Sequence, residues 1–329
     1  MRITQLDASN NLCNPKQPLR AWSRLAAPAK SMVNTLNSRI RDSAKDEPGQ
    51  ENSSLISNEK LLDLYALMVK CQMLEQRATG LLQQGKPASD FCCSAGREAS
   101  AAAVAIDLTP GDTLSVPPGD WLPAFAKGIS PESLFLALAS GSESAREALT
   151  REAERNNVSL AGDQPQQRKS VLERAADARA QKDGAVVAVF IRSAPAALDG
   201  WRKVMTSAAA ETLPIILVRH TDGAAISAPS PSRRGRNPEA FLHGVPAISV
   251  DATDPVAIYR VAFEAILRAR QNRGATLLEC TAVTTWSVDP VSAMHDYLRR
   301  KGIEPSRHER RIVEGFQRDL DLATRFLER

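Results

Sequence analysis

The chain is short of the residues that most binding chemistries need. Aromatic residues make up 5% of it, too few for a surface that stacks sugars or bases. Its four histidines, His220, His243, His295 and His308, stand at no metal-ligand spacing, which argues against a zinc site. Its five cysteines, Cys13, Cys71, Cys92, Cys93 and Cys280, form no Cys-x-x-Cys pair. The adjacent Cys92 and Cys93 could form a redox pair or hold a soft metal. An odd count of scattered thiols reads more simply as small buried residues in a reducing cytosol. No apolar run approaches the roughly 18 residues of a membrane span. The glycine-rich fingerprints of dinucleotide and P-loop sites are missing, as is the Gly-x-Ser-x-Gly nucleophile turn.

What is present is uneven. The net charge is +4, but residues 1–41 hold seven Lys/Arg against Asp7 alone, so this arm carries +6 and the rest −2. The basicity belongs to the arm, so the body is not expected to bind nucleic acid. Residues 1–57 have no sustained periodicity and read as a disordered or loosely docked basic arm. Their acid-poor start is like an organelle transit peptide. A flexible bacterial arm fits as well and is preferred, which places the protein in the cytoplasm. Residues 58–329 are expected to form a single domain.

From Asn58 the pattern turns helical. Leu61, Leu64, Tyr65, Met68, Val69, Met73 and Leu74 share one face, Asn58 can cap the helix and Gly85 can stop it. SAGREASAAAVAIDL is a small-residue helix, TPGDTLSVPPGDW a loop, strand and loop, and SPESLFLALAS a helix capped by Ser130. Residues 141–183 are charged and Ala-rich, and read as one or two exposed helices. Carboxylate pairs such as Asp42/Asp46 and Glu143/Glu147 lie in charged stretches and read as solvated faces. Then strands and helices alternate: strand 185–191, helix 195–211, strand 214–220, strand 246–250, helix 254–274 and strand 275–283. Helices near 291–302 and 307–327 close the chain. Continuous apolar strands alternating with helices predict an α/β fold, with a parallel sheet covered by helices on both faces. A basic loop, SPSRRGR, brings Arg233, Arg234 and Arg236 together and could hold an anion.

The order of segments is similar to one known family. LLDLYALMVKCQMLEQRATGLLQQGK resembles an opening Leu-Leu-x-Leu-Tyr-x-x-Met helix with its Glu-x-Arg and Gly-Lys, here Glu75, Arg77, Gly85 and Lys86. SAGREAS resembles a Gly-Gln-Glu-Ala motif, with Gly96, Glu98 and Ala99 kept. ETLPIILV, HGVPAISVDATDPVAIYRVAFEAILRAR, GATLLE and DPVSAMHDYLRRKGI follow in the expected sequence and spacing. Together they resemble the alpha subunit of the thiamin-diphosphate-dependent dehydrogenase (first) component of 2-oxo acid dehydrogenase complexes, of the pyruvate and branched-chain type. The resemblance covers roughly residues 58–139 and 185–302 and implies a thiamin-diphosphate-binding-type fold. It also implies thiamin diphosphate and Mg²⁺ as cofactors, and a beta-subunit partner in an α2β2 assembly.

Where the family has its metal-binding Gly-Asp-Gly, this chain has Arg192, Ser193 and Ala194. Where the family has Asn-Asn, it has Thr221 and Asp222. The diphosphate Tyr-Arg falls near Pro118-Gly119, the site histidines near Trp121 and Pro123, and the catalytic loop after LLEC is absent. The cofactor-binding candidates are therefore Arg192, Ser193 and Asp222, with no catalytic residue and no metal ligand assigned. A serine and one carboxylate make a poor Mg²⁺ site, since that ion wants hard oxygens in octahedral array. The expected function is that of a degenerate, non-catalytic alpha-like subunit that leaves the cofactor unbound. It would scaffold or regulate a beta-like partner or a homo-oligomer, without nucleic acid or membrane. Two alternatives stand beside it: an active oxidative decarboxylase with a rebuilt site, Arg192 pairing with phosphate, and an anion-binding protein using Arg192 with Arg233–Arg236. The small-residue helix around Ala99–Ala105 is a candidate interface, or equally an internal packing surface.

Overall fold

A computed structural model of the chain describes residues 56–83, 94–140, 142–160, 165–181, 184–191, 195–222, 244–282 and 289–325. The apolar runs of the second half become the centre of a six-stranded sheet. Its strands are β1 (Thr113–Ser115), β2 (Val158–Ser159), β3 (Val187–Ile191), β4 (Ile215–Asp222), β5 (Ala247–Asp251) and β6 (Thr276–Ala282). They lie in the order β2-β1-β3-β4-β6-β5, and every pairing is parallel. All five residues of β3 are buried, as an apolar strand covered on both faces must be. The sheet is thus the α/β architecture expected of alternating strand and helix.

The helices are α1 (Asn58–Gln83), α2 (Glu98–Ala105), α3 (Trp121–Ala126), α4 (Pro131–Ser140), α5 (Glu143–Arg155), α6 (Pro165–Ala180), α7 (Pro195–Ala210), α8 (Pro255–Arg270), α9 (Pro290–Arg300) and α10 (Ser306–Thr324). Val187, Val189, Ile191, Ile215, Leu217 and Leu277 pack with Trp201, Val204 and Met205 of α7 and with Val171 and Ala175 of α6. Strand residues alternate faces, so the intervening Ala188, Ile216, Val218 and Leu278, also buried, turn toward the layer that contains α8. Two Asp-Pro pairs set helix starts. Asp254 accepts from the N–H groups of Val256 and Ala257, and Asp289 from those of Val291 and Ser292. In each case proline occupies the first helical turn, where its missing N–H costs nothing.

Several boundaries differ from the sequence reading. Residues 141–183 do not form merely exposed helices: they contain β2, two residues long, and α6, whose Val171 and Ala175 are fully buried against β3. A short strand held by its neighbours leaves no periodic signal. Trp121, read as the end of a loop, opens the helix Trp121–Ala126. α8 ends at Arg270 rather than 274, because Asn272 and Gly274 take positive φ. Met73 is only half-buried on α1, while Cys71 and Glu75 are buried. Gly85 lies outside the described residues. Ser130 caps α4 as expected, accepting from the N–H of Ser133 at 3.3 Å.

One buried carboxylate ties the layers together. Asp112 is fully buried. Its Oδ1 accepts from the Val186 N–H at 2.8 Å. Its Oδ2 accepts from the Thr109 N–H at 2.6 Å, the Thr109 hydroxyl at 3.0 Å and the Arg270 guanidinium at 2.8 Å. The turn before β1, the start of β3 and the end of α8 thus share one anion.

Candidate functional site at the carboxyl edge of the sheet

In an open parallel sheet, ligands sit at the carboxyl ends of the strands, where the winding reverses. Here β1 leads outward to β2, whereas β3 leads the other way to β4, so the reversal falls between the neighbouring strands β1 and β3. Arg192 and Ser193, directly after β3, lie outside the described residues, as do Arg233, Arg234 and Arg236. Asp222 is the last residue of β4, in register with Ala282 of β6. Its neighbour Thr221 is hydrogen-bonded, hydroxyl to hydroxyl, to Thr281 of β6 at 3.0 Å. The structure therefore places Asp222 at the expected strand end and ties the adjacent Thr221 to the sheet.

The polar side chains along this edge serve one another. At the ends of β1 and β2, the Gln167 amide from α6 donates to the Ser115 hydroxyl at 2.9 Å and the Ser159 hydroxyl at 2.7 Å. Ahead of α2, Ser94 donates its N–H to Glu75 of α1 at 2.8 Å and its hydroxyl to Asp120 at 2.9 Å. Two glycines make this approach possible. Gly96 (φ 85°) and Gly119 (φ 80°) sit in tight turns, closed by Arg97 N–H to Ser94 C=O and Asp120 N–H to Pro117 C=O. A side chain at such φ values is strained.

At the end of β4, His220 meets Ser100 of α2, Nε2 to Oγ, at 2.6 Å. Ser100 spends its only proton on the Arg97 carbonyl at 3.0 Å, so Nε2 must carry the imidazole hydrogen and donate to Oγ. Burial, with the nearby Arg97 charge, pushes the His220 pKa down to about 3, so the ring is neutral. Glu98, at the first position of α2, is buried. One side of its carboxyl accepts backbone N–H groups of Glu98 and Gly96, but burial outweighs them and pushes its pKa up to about 7. Among the described residues its Oε2 has no partner, an uncommon state for a buried oxygen. The two cysteines among the described residues are muted as well: burial pushes Cys280 up to about 12 and Cys71 well above its ordinary value, so both stay thiols.

Glu75, Arg77 and Glu98 came from the motif reading, but Ser94, Ser100, Asp120 and Gln167 did not. The available signal was positional: His220 ends an apolar strand, and Ser94 and Asp120 flank glycine turns. Arg77 lies away from the edge, holding Asp321 at 3.0 Å and Thr324 at 2.6 Å on α10.

A metal-bound diphosphate needs positive charge and free hard-oxygen donors. The described groups do not fit one. Glu75, Glu98 and Asp120 are buried carboxyls, and Glu75 and Asp120 already accept from Ser94. The hydroxyls at the strand ends are taken by other side chains, and Trp121 and Pro123 are buried in α3. Among the described residues no group of three or more His, Cys, Asp or Glu could hold a metal ion. A family model described as "Dehydrogenase E1 component" matches residues 65–320.

Proposed function

The chain belongs to the dehydrogenase E1 component family, and from that premise we propose that it is a non-catalytic, alpha-subunit-like member that keeps the fold without the chemistry. It is a 2-oxo acid dehydrogenase-like protein, and its family is thiamin-diphosphate-dependent. The observation that carries the proposal is the carboxyl edge, where the described polar side chains other than Glu98 Oε2 bond one another. There Gln167, Ser115 and Ser159 bond one another, as do Ser94, Glu75 and Asp120, and Ser100 and His220. A cofactor diphosphate brought there meets buried carboxyls, and displacing these bonds strands buried polar groups. The residues at the family's metal positions, Arg192-Ser193-Ala194 and Thr221-Asp222, supply one carboxylate and a serine, a weak oxygen set for Mg²⁺.

On this reading the domain from residue 58 onward acts by shape, scaffolding or regulating a beta-subunit-like partner in the cytoplasm. Among the described residues no helix is long and apolar enough to cross a membrane.

Titration calorimetry of the full chain with thiamin diphosphate and Mg²⁺, with and without a beta-type subunit, tests the proposal. The expected result is no heat of specific binding in either case. Saturable binding in the micromolar range or tighter, especially with 2-oxo acid turnover, refutes it and favours an active enzyme with a rebuilt site.

A further inference from the structure

The corner where α9 meets α10 carries charge of one sign. Residues 299–311 contain Arg299, Arg300, Lys301, Arg307, Arg310 and Arg311 against Glu304 and Glu309, a net of +4. The chain beyond the basic arm sums to −2, so this corner stands out from an otherwise acidic body. Arg299, Arg300, Arg307, Arg310 and Arg311 are all exposed.

The two acids are already engaged. Glu309 turns inward, hydrogen-bonded by the Tyr65 hydroxyl and 3.9 Å from His295 Nε2. Glu304 accepts from the N–H and hydroxyl of Ser306 at 3.2 and 2.6 Å and faces the Arg299 charge. Among the described residues Arg300, Arg307, Arg310 and Arg311 make no side-chain hydrogen bond or ion pair; Lys301 Nζ is buried, so the surface charge is that of the arginines.

Folding does not account for this placement. Arg299 and Arg300 close α9 and suit the negative end of its dipole, but Arg307, Arg310 and Arg311 fall in the first two turns of α10. That is the positive end of a helix, where cations are unfavourable. By contrast, exposed Arg146, Arg151 and Lys169 each have an acid one turn away.

We infer that this α9–α10 corner is a docking surface for an acidic protein segment. Guanidinium groups pair bidentately with carboxylates, and charge complementarity sets the rate and specificity of such encounters. Nucleic acid fits less well: among the described residues no exposed aromatic side chain stands beside the arginines to stack a base.

The test measures anisotropy of a fluorescent polyglutamate peptide against the full-length chain. Parallel arms use duplex DNA and vesicles containing anionic lipid. One variant carries Arg300→Glu, Arg307→Glu and Arg311→Glu. A control with the same charge change carries Arg151→Glu, Lys169→Glu and Arg174→Glu, and circular dichroism and melting confirm that both fold. The expected result is salt-sensitive peptide binding, weakened about tenfold or more by the corner variant and less than roughly threefold by the control. Equal loss in both variants, no loss, no binding by the wild type, or tighter binding to DNA or vesicles than to peptide overturns the inference.

Discussion

Replacing Glu98 by glutamine gives a pH-dependent result whose sign is fixed by the structure. The Glu98 carboxyl has an ordinary pKa of 4.5 and is pushed up to about 7 in the folded chain, chiefly by burial. Its raised folded-state value means that folding favours the protonated acid. The associated stability is fully present below pH 4.5 and is lost as pH rises through about 7. Each tenfold difference in proton affinity between folded and unfolded chain is worth roughly 1.4 kcal/mol. Raising the pH from about 5 to about 8.5 therefore removes on the order of 2–3 kcal/mol at this one site. Glutamine has no such proton. Whatever constant cost Glu98→Gln carries, including a new unpartnered amide N–H where Oε2 now stands, that cost is the same at both pH values. The measurement is urea unfolding of wild type and Glu98→Gln at the two pH values. The variant should improve relative to wild type by about 2–3 kcal/mol on going from the lower to the higher pH. A difference that stays within about 0.5 kcal/mol, or moves the other way, refutes the reasoning. It would mean that Glu98 is solvated or paired when folded.

Other expectations follow from the same contacts. Asp112→Ala leaves the Val186 N–H and the Arg270 guanidinium without their carboxylate and should cost about 3–5 kcal/mol in urea unfolding; a loss under about 1 kcal/mol contradicts the network. His220, held neutral with its pKa near 3, should show no imidazole titration by NMR from pH 8 down to pH 5. Its depressed value makes the chain lose stability as pH falls from about 6.5 toward 3, by up to roughly 1.4 kcal/mol per pH unit. An imidazole midpoint near 6.5 would show that the ring is not buried in the folded chain. Trp201 is fully buried, but among the described residues its Nε1–H has no partner. Trp201→Phe should therefore stay within about 1.5 kcal/mol of wild type while Trp201→Ala loses about 3–5 kcal/mol, both read by thermal melts.

The legible parts of the fold were those written locally. Runs such as VVAVFI and PIILV are apolar at every position, which only a strand covered on both faces requires, and they became β3 and β4. The Asp-Pro pairs at 254 and 289 are local start signals, because both the cap and the proline act within one turn. β2 was illegible, since two residues become a strand only by pairing with β1. α6 reads as exposed because its charged residues outnumber the small Val171 and Ala175 that reach the core. At the site, motif order led to Glu98, but nothing local marks Ser100 as the partner of His220, since 120 positions separate them.

The sequence by itself determined the strand and helix order from β3 onward, the family, and which residue types stand at the family's metal positions, because these depend on local pattern and spacing. Only the tertiary structure decided protonation and partnership. Burial depends on every layer at once, so it took the folded chain to neutralise His220, to raise Glu98 and leave one of its oxygens alone, and to turn Gln167 onto two strand ends. The same packing set five arginines at a corner where, among the described residues, no acid answers most of them.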